Sequence, residues 1–80
     1  MWAINVHYFA FLREKAGLEF ESFESSGLSC REIYRQLSLR HGFELPDSML
    51  MVAVNDGFCP MDTVPGPGDK VVFIPPVAGG

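Results

Sequence analysis

Apolar and polar positions change rhythm along the chain, and each change marks an element. Across residues 2–9 the period is two: Ile4, Val6 and Tyr8 fall on one face, and Asn5, His7 and Phe9 on the other. That alternation predicts a first strand. Residues 10–16 predict a short helix, with Leu12 and Ala16 about one turn apart and Gly17 as its stop. A helix so short does not persist alone, so packing has to hold it. Residues 18–23 alternate acids with apolar side chains and predict a second strand, antiparallel to the first. Glu24, Ser25, Ser26 and Gly27 then read as a turn.

The best-marked element comes next. Ser29 and Glu32 have the spacing of a capping box, and Leu28 and Ile33 occupy the two positions of a hydrophobic staple. Cys30, Ile33, Tyr34 and Leu37 form one apolar stripe before Gly42 ends the run. His41 falls in the last turn, where the helix dipole favours positive charge. The expectation there is a dipole-satisfying or exposed histidine rather than a ligand.

Residues 49–54 form an apolar run of strand length, and Asn55-Asp56-Gly57 is a hairpin turn. Phe58-Cys59 can pair only briefly, because Pro60 has no amide to give a ladder. Residues 65–69, Pro-Gly-Pro-Gly-Asp, read as a loop and tight turn. They lack the lysine and following helix of a phosphate loop. Lys70–Ile74 is the last strand, ended by Pro75. One long helix against a small mixed sheet makes an α+β domain, with the first and last strands central.

A single helix covers one side of a sheet. Yet residues 49–54 and Val71-Val72-Phe73-Ile74 are apolar on both of their faces. Phe9, Phe58 and Ile74 are the candidates left over on the opposite side. Either loop residues such as Phe43 and Leu45 fold over them, or they dock a partner. The second is preferred, because monomers rarely leave a contiguous apolar patch open.

Composition narrows the classes. Eighty residues make one domain with a small core. The net charge is -4 and the six basic residues are interleaved with acids, which argues against a nucleic-acid footprint. Cys30 and Cys59 form no CxxC pair and read as small hydrophobes in a reducing compartment. No signal peptide or membrane-length apolar run is expected, which makes the cytoplasm the default. No paired carboxylates, activated nucleophile or metal cluster stands out; the body is not expected to bind a cofactor.

The candidate chemistry lies at the end of the sequence, Val77-Ala78-Gly79-Gly80. A C-terminal carboxyl is ionised at neutral pH and is a poor electrophile. ATP-dependent adenylation would give it a good leaving group, and a sulfur or nitrogen nucleophile could then attack. Glycines leave the carbonyl unhindered and let the backbone enter a narrow site on another protein. Pro75 and Pro76 fix φ, so residues 1–75 are expected to form the body and residues 76–80 an extended tail reaching roughly 16–18 Å.

Tyr8-Phe9-Ala10 with Leu12-Arg13-Glu14, then Val54-Asn55, Asp62-Thr63, Gly68-Asp69 and the closing Pro75-Pro76-Val77-Ala78-Gly79-Gly80 resemble the small subunits of molybdopterin synthase. The resemblance runs from the first strand to the last residue. It implies a ubiquitin-like β-grasp fold and a sulfur carrier. Gly80 would be adenylated by an activating enzyme that uses ATP and converted to a thiocarboxylate. Within a complex with the large synthase subunit, its sulfur would pass to cyclic pyranopterin monophosphate to build the dithiolene of molybdopterin. The family points to a heterotetramer, with catalytic groups on the large subunit. Pro75, Pro76, Val77, Ala78 and Gly79 would thread the partner, and Phe9, Phe58 and Ile74 would fall where the family docks. The rival readings are a carrier for thiamine or tRNA thiolation, a ubiquitin-like modifier of lysines, and an interaction domain with an inert end.

Overall fold

A computed structural model describes residues 1–76. The elements are β1 (Trp2–Tyr8), α1 (Phe11–Ala16), β2 (Phe20–Ser25), α2 (Cys30–His41), a single 3-10 turn (Asp47–Met49), β3 (Met51–Val54), β4 (Gly57–Cys59) and β5 (Lys70–Ile74). The strands form one sheet in the order β2-β1-β5-β3-β4. β1 and β5 are parallel, and the other pairs are antiparallel. This is the expected α+β arrangement of a β-grasp: a mixed sheet, one main helix on one face and a short helix after the first strand.

Alternation decides which side chains α2 covers. Ile4, Val6 and Tyr8 of β1, Phe23 of β2, Val52 of β3 and Val71 and Phe73 of β5 are buried with Cys30, Ile33, Tyr34 and Leu37 of α2. The capping box forms as its spacing implied: Glu32 N–H donates to Ser29 Oγ at 3.2 Å, and Ser29 N–H donates to Glu32 Oε1 at 3.0 Å. Gly42 ends the helix in the left-handed region at φ 74, where a side chain would be strained. Phe43 stacks on Tyr34 with 5.8 Å between ring centroids, and Tyr34 Oη donates to Leu45 O at 2.7 Å. The loop holding Phe43 and Leu45 therefore closes the helix side, not the opposite face.

Four boundaries and one side chain differ from the sequence expectation. β1 stops at Tyr8, because Ala10 takes φ 54 and ψ -129 to turn the chain out of the sheet; α1 consequently starts at Phe11. β2 lies two residues later than expected, with Glu24 and Ser25 paired to Ala3 and Trp2. Ser25 is buried, and its Oγ accepts from the amides of Gly27 and Leu28, so a residue read as turn both ends the strand and shapes the approach to α2. β3 begins at Met51 because Met49 belongs to the 3-10 turn. His41 is neither exposed nor merely facing the helix dipole: its side chain is 13% accessible and Nε2 lies 2.5 Å from Glu21 Oε2.

Several residues that carried the family resemblance hold loops to the sheet. Asn55 and Asp56 have φ of 50 and 71, the double left-handed turn of a two-residue hairpin between paired Val54 and Gly57. Asn55 Nδ2 donates to Asp69 Oδ1, and Asn55 Oδ1 accepts from the Lys70 amide, both at 3.0 Å. That pair ties the hairpin to the start of β5. Thr63 O accepts from the Cys30 amide at 2.9 Å, and Asp62 pairs with Arg31, which ties the long loop to the start of α2.

Candidate docking face and tail exit

Register builds the site. Phe20 pairs with His7, His7 with Val72, Val72 with Ala53 and Ala53 with Phe58. These five residues, one from each strand, make a single row across the face that α2 leaves uncovered. The next row toward the end of β5 contains Ile74 paired with Met51. Phe9 follows the last paired residue of β1 and alternates onto the same face.

The row is apolar except for His7, and its outer members and the flanking Phe9 and Met51 are open. Phe58 is 67% accessible, Phe20 59%, Phe9 57% and Met51 54%, while Val72 and Ile74 are half-buried. Monomers seldom expose so much contiguous apolar surface without a use for it. Phe9, Phe58 and Ile74, the residues singled out from sequence, all lie on this face. Phe20, Met51 and Val72 share it and were not singled out. Strand register was the missing signal, since it alone shows which residues stand side by side.

β5 leads directly from this face to the end of the chain. Ile74 flanks the row, Pro75 is buried and Pro76 is exposed. The path away from the body thus starts at Pro76. Val77, Ala78, Gly79 and Gly80, named from sequence as the tail and reacting end, lie outside the described residues.

The opposite side of the same end holds the main polar cluster. Glu21 lies on the core face of β2 with its side chain 14% accessible. Tyr8 Oη donates to it, Arg40 donates from 2.9 Å and His41 approaches within 2.5 Å. Burial pushes the Glu21 carboxyl up, but the hydrogen bonds of Tyr8, His41 and Arg40 outweigh it and leave the group below its ordinary value. Burial, with help from Glu21, pushes the Tyr8 phenol up, so Tyr8 stays a proton donor. Arg40 also lies 5.9 Å over the Phe23 ring. The cluster fastens α2 to β2 and faces away from the open row; its chemistry is structural.

The Cys30 thiol is not a poised nucleophile. Burial first, and the nearby Cys59 second, push the Cys30 thiol up to about 12. Cys59 is half-buried with Sγ 3.9 Å from Val52 O. Among the described residues no group of three or more His, Cys, Asp or Glu side chains could hold a metal ion. None of their helices is long and apolar enough to cross a membrane.

Comparison with known proteins bears on what an open apolar face beside the end of β5 is for. The ThiS family model matches residues 6–80. The chain belongs to the ThiS family. The molybdopterin synthase sulfur carrier subunit of Haemophilus influenzae is 31% identical over 80 residues, covering 96% of this chain and 99% of that protein. A Pyrococcus furiosus structure described as a molybdopterin converting factor subunit 1 superposes with a TM-score of 0.78 at 29% identity, covering 96% of this chain and all of that one. A similar fold occurs in the complex of subunits 1 and 2 of the molybdopterin-converting factor from Helicobacter pylori. There the TM-score is 0.67 at 22% identity, with 98% of this chain and 99% of that one covered. This ThiS-family chain is thus a homologue of molybdopterin synthase sulfur carrier subunits.

Proposed function

We infer that the chain is the sulfur carrier subunit of molybdopterin synthase and that its reactive group is the Gly80 carboxyl. The observation that carries this is the full-length match to a molybdopterin synthase sulfur carrier, joined to an open apolar face beside the exit of β5. The Gly80 carboxylate attacks the α-phosphorus of ATP on an adenylating enzyme, releasing pyrophosphate and leaving an acyl-adenylate. Hydrosulfide attacks the acyl carbon, the bond to AMP breaks, and loss of a proton gives the thiocarboxylate. The large synthase subunit then takes the end of the chain, and sulfur passes to the pterin precursor. Hydrolysis of the remaining acyl bond returns the carboxylate. The body's part is to dock and to hold the end at the right distance, and the catalytic groups belong to the partners. ATP is consumed on the activating enzyme, and the setting is the cytoplasm.

Intact-mass measurement after incubation with the adenylating enzyme, ATP and a sulfur source tests the reading. The expected result is a gain equal to exchange of one oxygen for one sulfur, absent when Gly80 is deleted. A ladder of conjugates on lysines would instead make the chain a protein modifier. No change in mass would overturn the carrier reading.

A further inference from the structure

The row across the open face ends in a phenylalanine on each side. Phe58 stands on the edge strand β4, two strands to one side of β5. Phe20 stands on the other edge, β2, two strands to the opposite side of β5 and outside the Phe9, Phe58 and Ile74 set. Yet Phe20 is not a loose surface residue. Its ring stacks on His7, 5.3 Å between centroids and 26° between planes. His7 in turn pairs with Val72 at the middle of the row.

Distance decides whether one partner meets both ends. Four strand spacings separate Phe20 from Phe58, about 19 Å along the sheet. A standard interface covers about 800 Å² on each partner, a disc about 32 Å across. Centred on Val72, such a disc reaches about 16 Å to either side, and Phe20 lies about 10 Å away. A partner large enough to hold this domain stably on the open face therefore covers the His7–Phe20 pair as well.

The chemistry of the pair suits an anchor. An exposed aromatic ring already held against a neighbour gives up little freedom on binding and buries a large apolar area. Aromatic side chains placed in this way dominate binding energy at interfaces. Phe20, Val72, Ala53 and Phe58 carry no charge. Such an aromatic, uncharged strip matches a lasting, stoichiometric interface more than a brief encounter, which uses smaller and more polar surfaces.

We propose that the Phe20–His7 stack is a second docking anchor for the large subunit of molybdopterin synthase, at the β2 edge of the sheet and at the opposite end of the row from Phe58. This rests on the carrier reading above and names a contact that reading does not contain. Phe20 and Phe58 at the two edges bracket the central strands and fix the domain's rotation on its partner, so that the end of β5 is aimed at one place.

The test measures affinity for the large subunit of the same organism by titration calorimetry, using the full chain. Wild type, Phe20→Ser, Phe20→Trp, Phe58→Ser and the back-face control Leu39→Ser are compared after thermal melts show each to be folded. The expected result is a loss of at least tenfold for Phe20→Ser and for Phe58→Ser, recovery of most of it by Phe20→Trp, and no change for Leu39→Ser. Wild-type binding with a loss for Phe58→Ser but none for Phe20→Ser would overturn the second anchor and leave the carrier reading intact. An effect of Phe20→Ser confined to the adenylating enzyme would assign the stack to a different partner, again overturning the proposal. Failure of the wild type to bind the large subunit would overturn the proposal together with the reading it rests on.

Discussion

Phe73 and Ile74 are neighbours in β5 and meet opposite surroundings. Phe73 points under α2, where it is buried with its ring 5.3 Å from that of Tyr34. Ile74 points to the uncovered side and pairs with the exposed Met51. The two faces of one sheet are thus built from similar apolar residues and used differently. One face holds the domain together, and the other lies open to solvent. Composition does not separate them. The presence of a single long helix does, because it can cover only one layer.

The largest effect expected is on the covered face. Phe73→Ala removes a fully buried ring from between the sheet and α2 and should cost about 3–5 kcal/mol of stability. A domain of this size has roughly 4–12 kcal/mol in total, so the variant sits near the folding threshold. Urea unfolding monitored by circular dichroism reads the loss directly. A variant as stable as wild type would mean that the covered face is not the one that carries the fold.

A smaller effect is expected at the polar edge of that face. Glu21→Gln keeps the shape of the side chain but gives up its charge toward Arg40, Tyr8 and His41. The cost at neutral pH should be about 1.5–3 kcal/mol, the range for hydrogen bonds to a charged group. The sign with pH follows from the depressed carboxyl. The folded form holds the proton less tightly than the unfolded form, so the stabilisation is complete above the ordinary carboxylate range and is lost as pH falls through the folded value. Urea titrations between neutrality and acid should therefore show wild type losing stability below about pH 4 and Glu21→Gln losing less. Parallel acid limbs for the two proteins would remove Glu21 from the account of how α2 is fastened to β2.

That same glutamate marks the limit of what the sequence made legible. The helix from Ser29 to Gly42, the Asn55-Asp56 hairpin and Lys70–Ile74 were all readable, because each rests on local chemistry: a capping box, a double left-handed turn, an apolar run stopped by proline. β2 was not readable in the same way. Simple alternation in Leu18-Glu19-Phe20-Glu21-Ser22-Phe23 invites Phe20 inward and Glu21 outward. The fold does the reverse, since Glu21 finds three partners on the core side and Phe20 finds His7 on the open side. Those partners come from β1 and the end of α2, between 13 and 20 residues away. No local pattern encodes such distant partners. The open face was foreseen through Phe9, Phe58 and Ile74 by counting layers, but its extension to Phe20 and Met51 needed the register.

The smallest effect sharpens the contrast most. Met51 is one residue from the buried Val52 and pairs with Ile74 on the open face. Met51→Ser removes an apolar side chain that already stands in water rather than in a packed interior, leaving no cavity and no unpaired buried group. Its effect on stability should stay within about 0.5 kcal/mol, the range for surface changes away from special features. Val52→Ala, on the covered side of the same strand, leaves a void under α2 and should cost more, since core methyls are lost with their packing. Urea unfolding of the two variants side by side makes the comparison within one short strand. Equal losses would mean that the outer surface of β3 is buried in the isolated domain, and the apolar row would then need no partner to account for it. A near-silent Met51→Ser beside a destabilised Val52→Ala leaves the exposed row unexplained by folding, and surface that folding does not use is surface available for docking.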